Sequence, residues 1–166
     1  RARVIVTDTR CRGLADDVAA GRVGVLDVDD LDPTAPAESP GLRVPPAAAA
    51  SLYYTSGSTG RPKGVVETHR NRLINARRNI NAIRITAEDR LVLLYTAGFS
   101  GSVNCIFGAL LSGACLCPFD LRADGYTALA RWLREQEITI YHSTPPVFRG
   151  LVDSLGAEDA FPALRI

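Results

Sequence analysis

Residues 54–64 run Tyr54-Thr55-Ser56-Gly57-Ser58-Thr59-Gly60-Arg61-Pro62-Lys63-Gly64, the one stretch of the chain that names a chemistry. Three glycines, four Ser/Thr hydroxyls and two cations are packed between two strand-like segments, Leu52–Thr55 and Val65-Val66. Glycine turns with φ > 0 and lets a ligand approach the backbone closely. Successive N–H groups in such a turn form an anion-binding concavity, and hydroxyls add donors at little steric cost. Lys63 brings a compact positive charge that can reach a phosphate, and Pro62 stiffens the exit. The stretch reads as a polyphosphate cradle.

The common nucleotide loop has a different arrangement: a glycine, four residues, then Gly-Lys-Ser/Thr. Here Pro62 precedes the lysine and Gly64 follows it, so the magnesium-binding hydroxyl is missing. That argues against a phosphate-transfer NTPase. Over its whole length the run resembles the signature of adenylate-forming enzymes, which include acyl- and aryl-CoA ligases, luciferases and nonribosomal peptide synthetase adenylation domains. The resemblance implies that the cradle holds the β- and γ-phosphates of ATP while a carboxylate attacks the α-phosphorus. Position by position it assigns Thr55, Ser56, Gly57, Ser58, Thr59, Gly60 and Lys63 to the nucleotide, with Lys63 as the catalytic cation. Arg61 matches the pattern too, with a solvent-facing role equally open.

With 166 residues, 46% of them hydrophobic, the chain is long enough to bury a core. A formal net charge of +1 points to neither nucleic acid nor an anionic membrane as partner. No apolar run approaches the roughly 20 residues of a membrane span, and Arg1-Ala2-Arg3-Val4 is no signal peptide, so a cytoplasmic protein is expected. Cys11, Cys105, Cys115 and Cys117 lack the spacing of a zinc site, and all are expected in the core. No metal ligand set is assigned.

Strand and helix periodicities alternate. Strands are expected at Val4–Thr7, Val23–Val28, Leu52–Thr55, Leu91–Tyr95, Ala114–Pro118 and Ile138–Tyr141. Leu14, Ala15, Val18 and Ala19 mark one helix face, and Leu73, Ala76, Ile80 and Ile83 a second. Val103, Ile106, Phe107, Leu110 and Leu111 mark a third helix, and Tyr126–Glu135 spans a fourth. Ser143 or Thr144 is placed to cap a last helix, with Pro145 and Pro146 in its first turn. The alternation predicts an α/β layered fold with mostly parallel sheets flanked by helices. Five prolines between Pro33 and Pro46 predict a surface linker over residues 33–48. The chain begins in a strand, and another is expected to start within Phe161–Ile166. The resemblance accordingly implies part of the large N-terminal domain of the adenylate-forming fold, without the C-terminal domain.

A second region resembles the acid-binding stretch of peptide synthetase adenylation domains, where Phe-Asp-x-Ser precedes a helix ending Phe-Gly-Ala-Leu-Leu-x-Gly-Ala. Here Phe99-Ser100-Gly101-Ser102 precedes Phe107-Gly108-Ala109-Leu110-Leu111-Ser112-Gly113-Ala114. The helix matches, and Ser100 replaces the aspartate that holds a substrate's α-ammonium in that family. A serine cannot neutralise a buried cation, so a hydroxy, keto, aryl or aliphatic acid is favoured over an α-amino acid, unless an acid elsewhere supplies the charge. The resemblance also assigns Phe99 as a gate and Gly101, Asn104 and His142 as pocket-lining positions; for His142 a structural hydrogen-bonding role is equally open.

Thr68 is a plausible N-cap for the helix that follows the loop, which carries Arg70, Arg72, Arg77, Arg78 and Arg84 and no acid from Thr68 to Ala87. A solvated basic face is the favoured reading of that stripe, ahead of a docking face for a carrier protein. Asp120, Asp124, Glu135 and Glu137 read as surface charges. The family's aromatic-Gly-Pro-Thr-Glu motif, ribose-binding aspartate and late catalytic lysine do not occur in these residues. The expected activity is that of part of an ATP-dependent carboxylate-activating ligase, with Mg2+ ligands outside this stretch and a carrier-protein phosphopantetheine thiol as acceptor. An acyl- or aryl-CoA ligase and a non-catalytic scaffold are the competing readings.

Overall fold

The computed structural model describes residues 2–55, 60–96 and 99–166, which divide into two compact units, Arg1–Arg43 and Val44–Ile166. In the first, β1 (Val4–Thr7) pairs in parallel with β2 (Gly24–Asp27) in the register Val4↔Gly24 to Thr7↔Asp27. Helix α1 (Arg12–Ala19) connects them. Its expected apolar face narrows: Ala15 and Ala19 are buried, whereas Leu14 and Val18 are exposed. At about 100° per residue the line of contact passes through the i, i+4 alanines and leaves their neighbours at its edge. Residues 33–48 carry neither helix nor strand, and residues 33–47 are exposed.

The second unit opens with β3 (Ala49–Thr55), which pairs antiparallel with β4 (Lys63–Thr68) from Thr55↔Lys63 to Ala49↔Thr68. This hairpin is the exception to the parallel pairing read from the alternation, because only a short loop separates its strands. Helix α2 (His69–Ile83) follows, capped as expected by Thr68, whose Oγ1 accepts from the Asn71 N–H at 3.2 Å. Next come β5 (Arg90–Leu93), α3 (Ser100–Ser112), β6 (Cys115–Pro118), α4 (Leu121–Glu135) and α5 (Pro145–Asp153). β5 and β6 are parallel, with Leu91 facing Leu116 and Val92 facing Cys117.

Side chains alternate across a strand, so β5 serves two cores. Leu91 packs with Ile85, Ala109, Ala114 and Ile140 on the side of α2 and α3. Val92 packs with Cys117, Leu129, Ala130, Leu133, Ile138 and Leu151 on the side of α4 and α5. Leu129, Ile138 and Ile140 are fully buried, each contributing about 1.5–3 kcal/mol. Helices cover both faces of the sheet, as the layered α/β expectation requires.

Several local expectations are corrected. Helix α4 starts at Leu121, five residues before Tyr126, because Asp120 accepts from the backbone N–H groups of Arg122 and Ala123 at 3.0 and 3.2 Å. Gly125, at φ 78° and ψ 176°, interrupts that helix. Asp120 is therefore a helix cap. Cys105 and Cys117 are buried, but Cys11 and Cys115 are exposed. The 138–141 segment forms a single parallel bridge, Leu91↔Ile140, in place of a full strand. Residues 161–166 are likewise not a strand, although Arg165 and Tyr141 donate to the Thr139 and Ile166 carbonyls. Among the described residues no helix is long and apolar enough to cross a membrane.

The buried Asp89 joins these pieces. Its carboxylate accepts from the Thr86 N–H at 2.8 Å, the Thr139 hydroxyl at 2.7 Å and the Arg165 guanidinium at 2.6 Å. The Arg165 hydrogen bond, supported by those of Thr139 and Thr86 against the cost of burial, holds the carboxyl far below its usual range. A carboxylate with a depressed folded-state pKa adds stability above its unfolded pKa, and that stability is lost as pH falls through the folded value. Replacing Asp89 by Asn is expected to cost about 2–3 kcal/mol at pH 7, since it removes the charge paired with Arg165 and turns an amide NH2 toward groups that donate to the carboxylate. The deficit shrinks as pH falls below about 4, where the unfolded carboxylate titrates. Urea unfolding of parent and variant at neutral and acid pH measures both effects.

Candidate functional site

The hairpin positions the glycine-rich loop. Thr55 and Lys63 face each other as the last ladder pair, so residues 56–62 connect two antiparallel strands. Ser56, Gly57, Ser58 and Thr59 lie outside the described residues. Gly60 has φ +76°, and a Cβ built there meets no atom within 4 Å, which leaves open space over a left-handed backbone. Thr55, Arg61 and Lys63 are exposed, and among the described residues neither cation has an ion-pair partner. An exposed left-handed glycine followed by two cations that have no ion-pair partner among the described residues fits an anionic ligand.

Beyond the hairpin lies an open cleft of about 700 Å³. Phe99, Ser100, Gly101, Asn104 and His142 all line it. The first four come from the start of α3: Phe99 occupies the N-cap position, and Ser100, Gly101 and Asn104 share the face of the first helical turn. The buried Ser102 donates its hydroxyl to the Phe99 carbonyl at 2.6 Å, which holds that turn. The half-exposed Phe99 ring lies 5.1 Å from that of Tyr95. Gly101 is needed for this arrangement, because a Cβ there would sit 2.6 Å from the Phe99 Cε1.

His142 leaves the buried Ile140 segment and reaches the cleft from the opposite side in sequence. Its Nδ1 is 3.5 Å from Cys105 Sγ, and Tyr95 stands edge-on at 5.6 Å. Burial pushes the Cys105 thiol up to about 11, so it stays protonated at neutral pH. The protonated thiol is a weak donor within reach of the imidazole. A chamber of about 200 Å³, lined in part by Asn79, Cys105, Tyr141 and His142, adjoins the cleft there.

The cleft's charges were not legible from the motif. Glu67, near the end of β4, is its one carboxylate among the described lining residues, and Arg72 from α2 binds it as an ion pair. Ser51 accepts from Arg72 at 2.9 Å and donates to Glu67 at 3.3 Å, and the Arg72 guanidinium lies 5.4 Å from the centre of the Tyr53 ring. Arg72 is buried, so it does not belong to a solvated basic stripe. It stands four residues before the buried Ala76 on the inner face of α2. Asn75, Arg78, Asn79 and Ala82 also line the cleft, as do Tyr95, Ser143, Thr144 and Pro145. Positions 75, 78, 79 and 82 recur at the spacing of one helical face, a signal present in the sequence beside the apolar face of α2. Among the described residues no group of three His, Cys, Asp or Glu side chains is placed to hold a metal.

Gramicidin S synthase 2 of Brevibacillus brevis is 40% identical over 118 residues, which cover 70% of this chain and 3% of that protein. Syringomycin synthase SyrB1 of Pseudomonas syringae pv. syringae is 36% identical over 177 residues, covering 99% of this chain and 28% of its own length. The crystal structure of the nonribosomal peptide synthetase FmoA3 bound to α-methyl-L-serine-AMP superposes with a TM-score of 0.82 at 31% identity, over 99% of this chain and 18% of that one. The chain thus spans a small part of the relatives it matches. The sequence pattern of the AMP-binding enzyme family matches residues 1–166, and the chain belongs to that family.

Proposed function

We propose that the protein containing this chain activates a carboxylic acid with ATP. One carboxylate oxygen attacks the α-phosphorus, the bond from that phosphorus to the bridging oxygen breaks, and pyrophosphate leaves with an acyl-adenylate formed. The observation that carries this reading is the continuity of the two halves of the site. Lys63 opens β4 beside the glycine loop, and Glu67, four residues along the same strand, lines the cleft. That separation is about 13 Å at the rise of an extended chain. Phosphates held at the loop and an acid held in the cleft would therefore meet within the span of one strand.

Each residue has a defined part in this proposal. Thr55, Ser56, Gly57, Ser58, Thr59 and Gly60 offer N–H and hydroxyl donors to the β- and γ-phosphates, and Lys63 neutralises the charge that develops on the departing pyrophosphate. Mg2+ accompanies the nucleotide, with its ligands outside residues 1–166. Phe99, Ser100, Gly101, Asn104 and His142 hold the acid. The acyl group then passes to the phosphopantetheine thiol of a carrier protein. The match to peptide synthetases and the Phe107–Ala114 phrase support that acceptor over CoA.

In the full-length enzyme, Lys63→Ala is expected to slow acid-dependent ATP–pyrophosphate exchange by removing about 2–4 kcal/mol of transition-state stabilisation. Gly60→Val is expected to do comparable damage, because its φ of +76° suits glycine. Parent rates in both variants would overturn the nucleotide assignment.

Ser100 yields a second expectation. With Glu67 committed to Arg72, the cleft offers no unpaired carboxylate among the described residues to an α-ammonium. Leaving a buried ammonium unpaired disfavours α-amino acids by at least about a hundredfold. Acids carrying hydroxyl, keto or hydrogen at the α-carbon should be preferred in exchange, and Ser100→Asp should restore part of the activity toward the amino analogues. Best exchange with α-amino acids, unaltered by Ser100→Asp, would refute this pocket assignment.

A further inference from the structure

The charge balance of the cleft is lopsided. Glu67 is neutralised by Arg72 and further held by Ser51. Arg78 also lines the cleft, one helical face along α2, and its exposed side chain has no acidic partner among the described residues. The wall therefore carries one uncompensated guanidinium. Around it the polar groups can donate: Asn75 lies one turn before Arg78, Asn79 is its neighbour, and Asn104 faces them from α3. Asn79 already links the two helices by donating to the Asn104 carbonyl at 3.4 Å, which fixes this wall in place. A guanidinium presents its N–H groups as a planar fork that matches a carboxylate bidentately.

We propose that the acid taken by this site is dicarboxylic, with its second carboxylate bound by Arg78 and an adjacent asparagine amide. The inference rests on the adenylation reading and specifies its substrate class. A cleft of about 700 Å³ has room for such an acid, since pockets for small molecules span roughly 300–1,000 Å³. One carboxylate enters the reaction at the loop end of the site, and the other stays ionised against Arg78. Monocarboxylic acids of the same length fill the cleft but leave the guanidinium with water alone.

The test uses the full-length enzyme and ATP–pyrophosphate exchange with matched pairs of acids: 2-hydroxyglutarate against 2-hydroxypentanoate, glutarate against pentanoate, and isophthalate against benzoate. The parent should prefer the diacid in at least one pair by about tenfold or more in kcat/KM, mostly through KM, an effect of the size expected for one charge-assisted contact. Arg78→Gln should lower that ratio about tenfold, Arg78→Lys should retain part of it, and Arg78→Glu should invert it. In the parent itself the ratio should fall as NaCl is raised from about 50 to about 500 mM, because an exposed pair is screened. That arm does not depend on any variant folding. Exchange with monoacids but no diacid preference in any pair, or a ratio unmoved by both salt and Arg78→Gln, would overturn the proposal and leave adenylation standing. Failure of every acid to support exchange would overturn adenylation, and this proposal with it.

Discussion

The ionised Asp89 carboxylate, buried at the turn before β5, is the interaction on which the second unit is organised. A buried charge is tolerated only where several donors replace its lost water. Here Thr86, Thr139 and Arg165 do so, and each belongs to a different part of the chain. Thr139 also accepts from the Arg90 N–H at 3.0 Å, which brings the 138–142 segment alongside β5. Ile140 then bridges Leu91, and two residues later His142 enters the cleft. The position of a candidate binding residue thus depends on a carboxylate that has no contact with the site.

A similar division of labour holds in the cleft. Arg72 and Glu67 resemble site residues by chemistry, yet they satisfy each other, with Ser51 and the Tyr53 ring completing the shell. Their mutual pairing removes the one carboxylate of the described wall from ligand binding and fixes the end of β4 to α2. Among the described residues, the groups left to act on a ligand include the neutral hydrogen-bonding set at the start of α3, the His142 ring, the α2 asparagines and the Arg78 charge. Recognition in such a site comes from the sum of its unpaired groups, because pairs already formed add little differential affinity.

How much of this was readable depended on whether the relevant force is local. The Thr68 cap, the Pro145-Pro146 helix start and the β3 and β4 segments follow from near-neighbour rules, and all occur. On α3 the expected apolar face is corrected, since Val103 is buried with Cys105, Gly108 and Ala109 while Leu110 and Leu111 are exposed. The Asp120 cap was equally local, but the chain resumes after Gly125 in a pattern that conceals the first turn of α4. Non-local facts were hidden. Whether Arg72 points to water or to Glu67 is decided by the antiparallel register that sets Ser51 against Glu67. Cys115 and Cys117 sit two apart on one strand, yet Cys117 is buried and Cys115 exposed, a difference set by neighbouring elements. Residues 138–141 read as a strand because they are apolar and β-branched; their partner pairs with them at Leu91 alone. In the site, the motif resemblance brought out Phe99, Ser100, Gly101, Asn104 and His142, whereas the α2 wall follows no motif.

That wall joins the glycine loop to the cleft along one continuous stretch of chain. The chain passes from Lys63 through β4, turns at the Thr68 cap and runs along α2 to Ala82 without an intervening loop. The junction is held from behind, since the His69 and Arg70 N–H groups donate to the Ala48 and Pro46 carbonyls at 3.0 and 2.8 Å. These bonds satisfy donors that a helix N-terminus otherwise leaves open. They also tie the start of α2 to the segment that leads into β3, the strand paired with β4. Transfer between a bound phosphate and a bound acid requires alignment to a fraction of an ångström. For the proposed transfer, a strand that runs directly into the helix would serve that alignment better than two sites joined by a long loop.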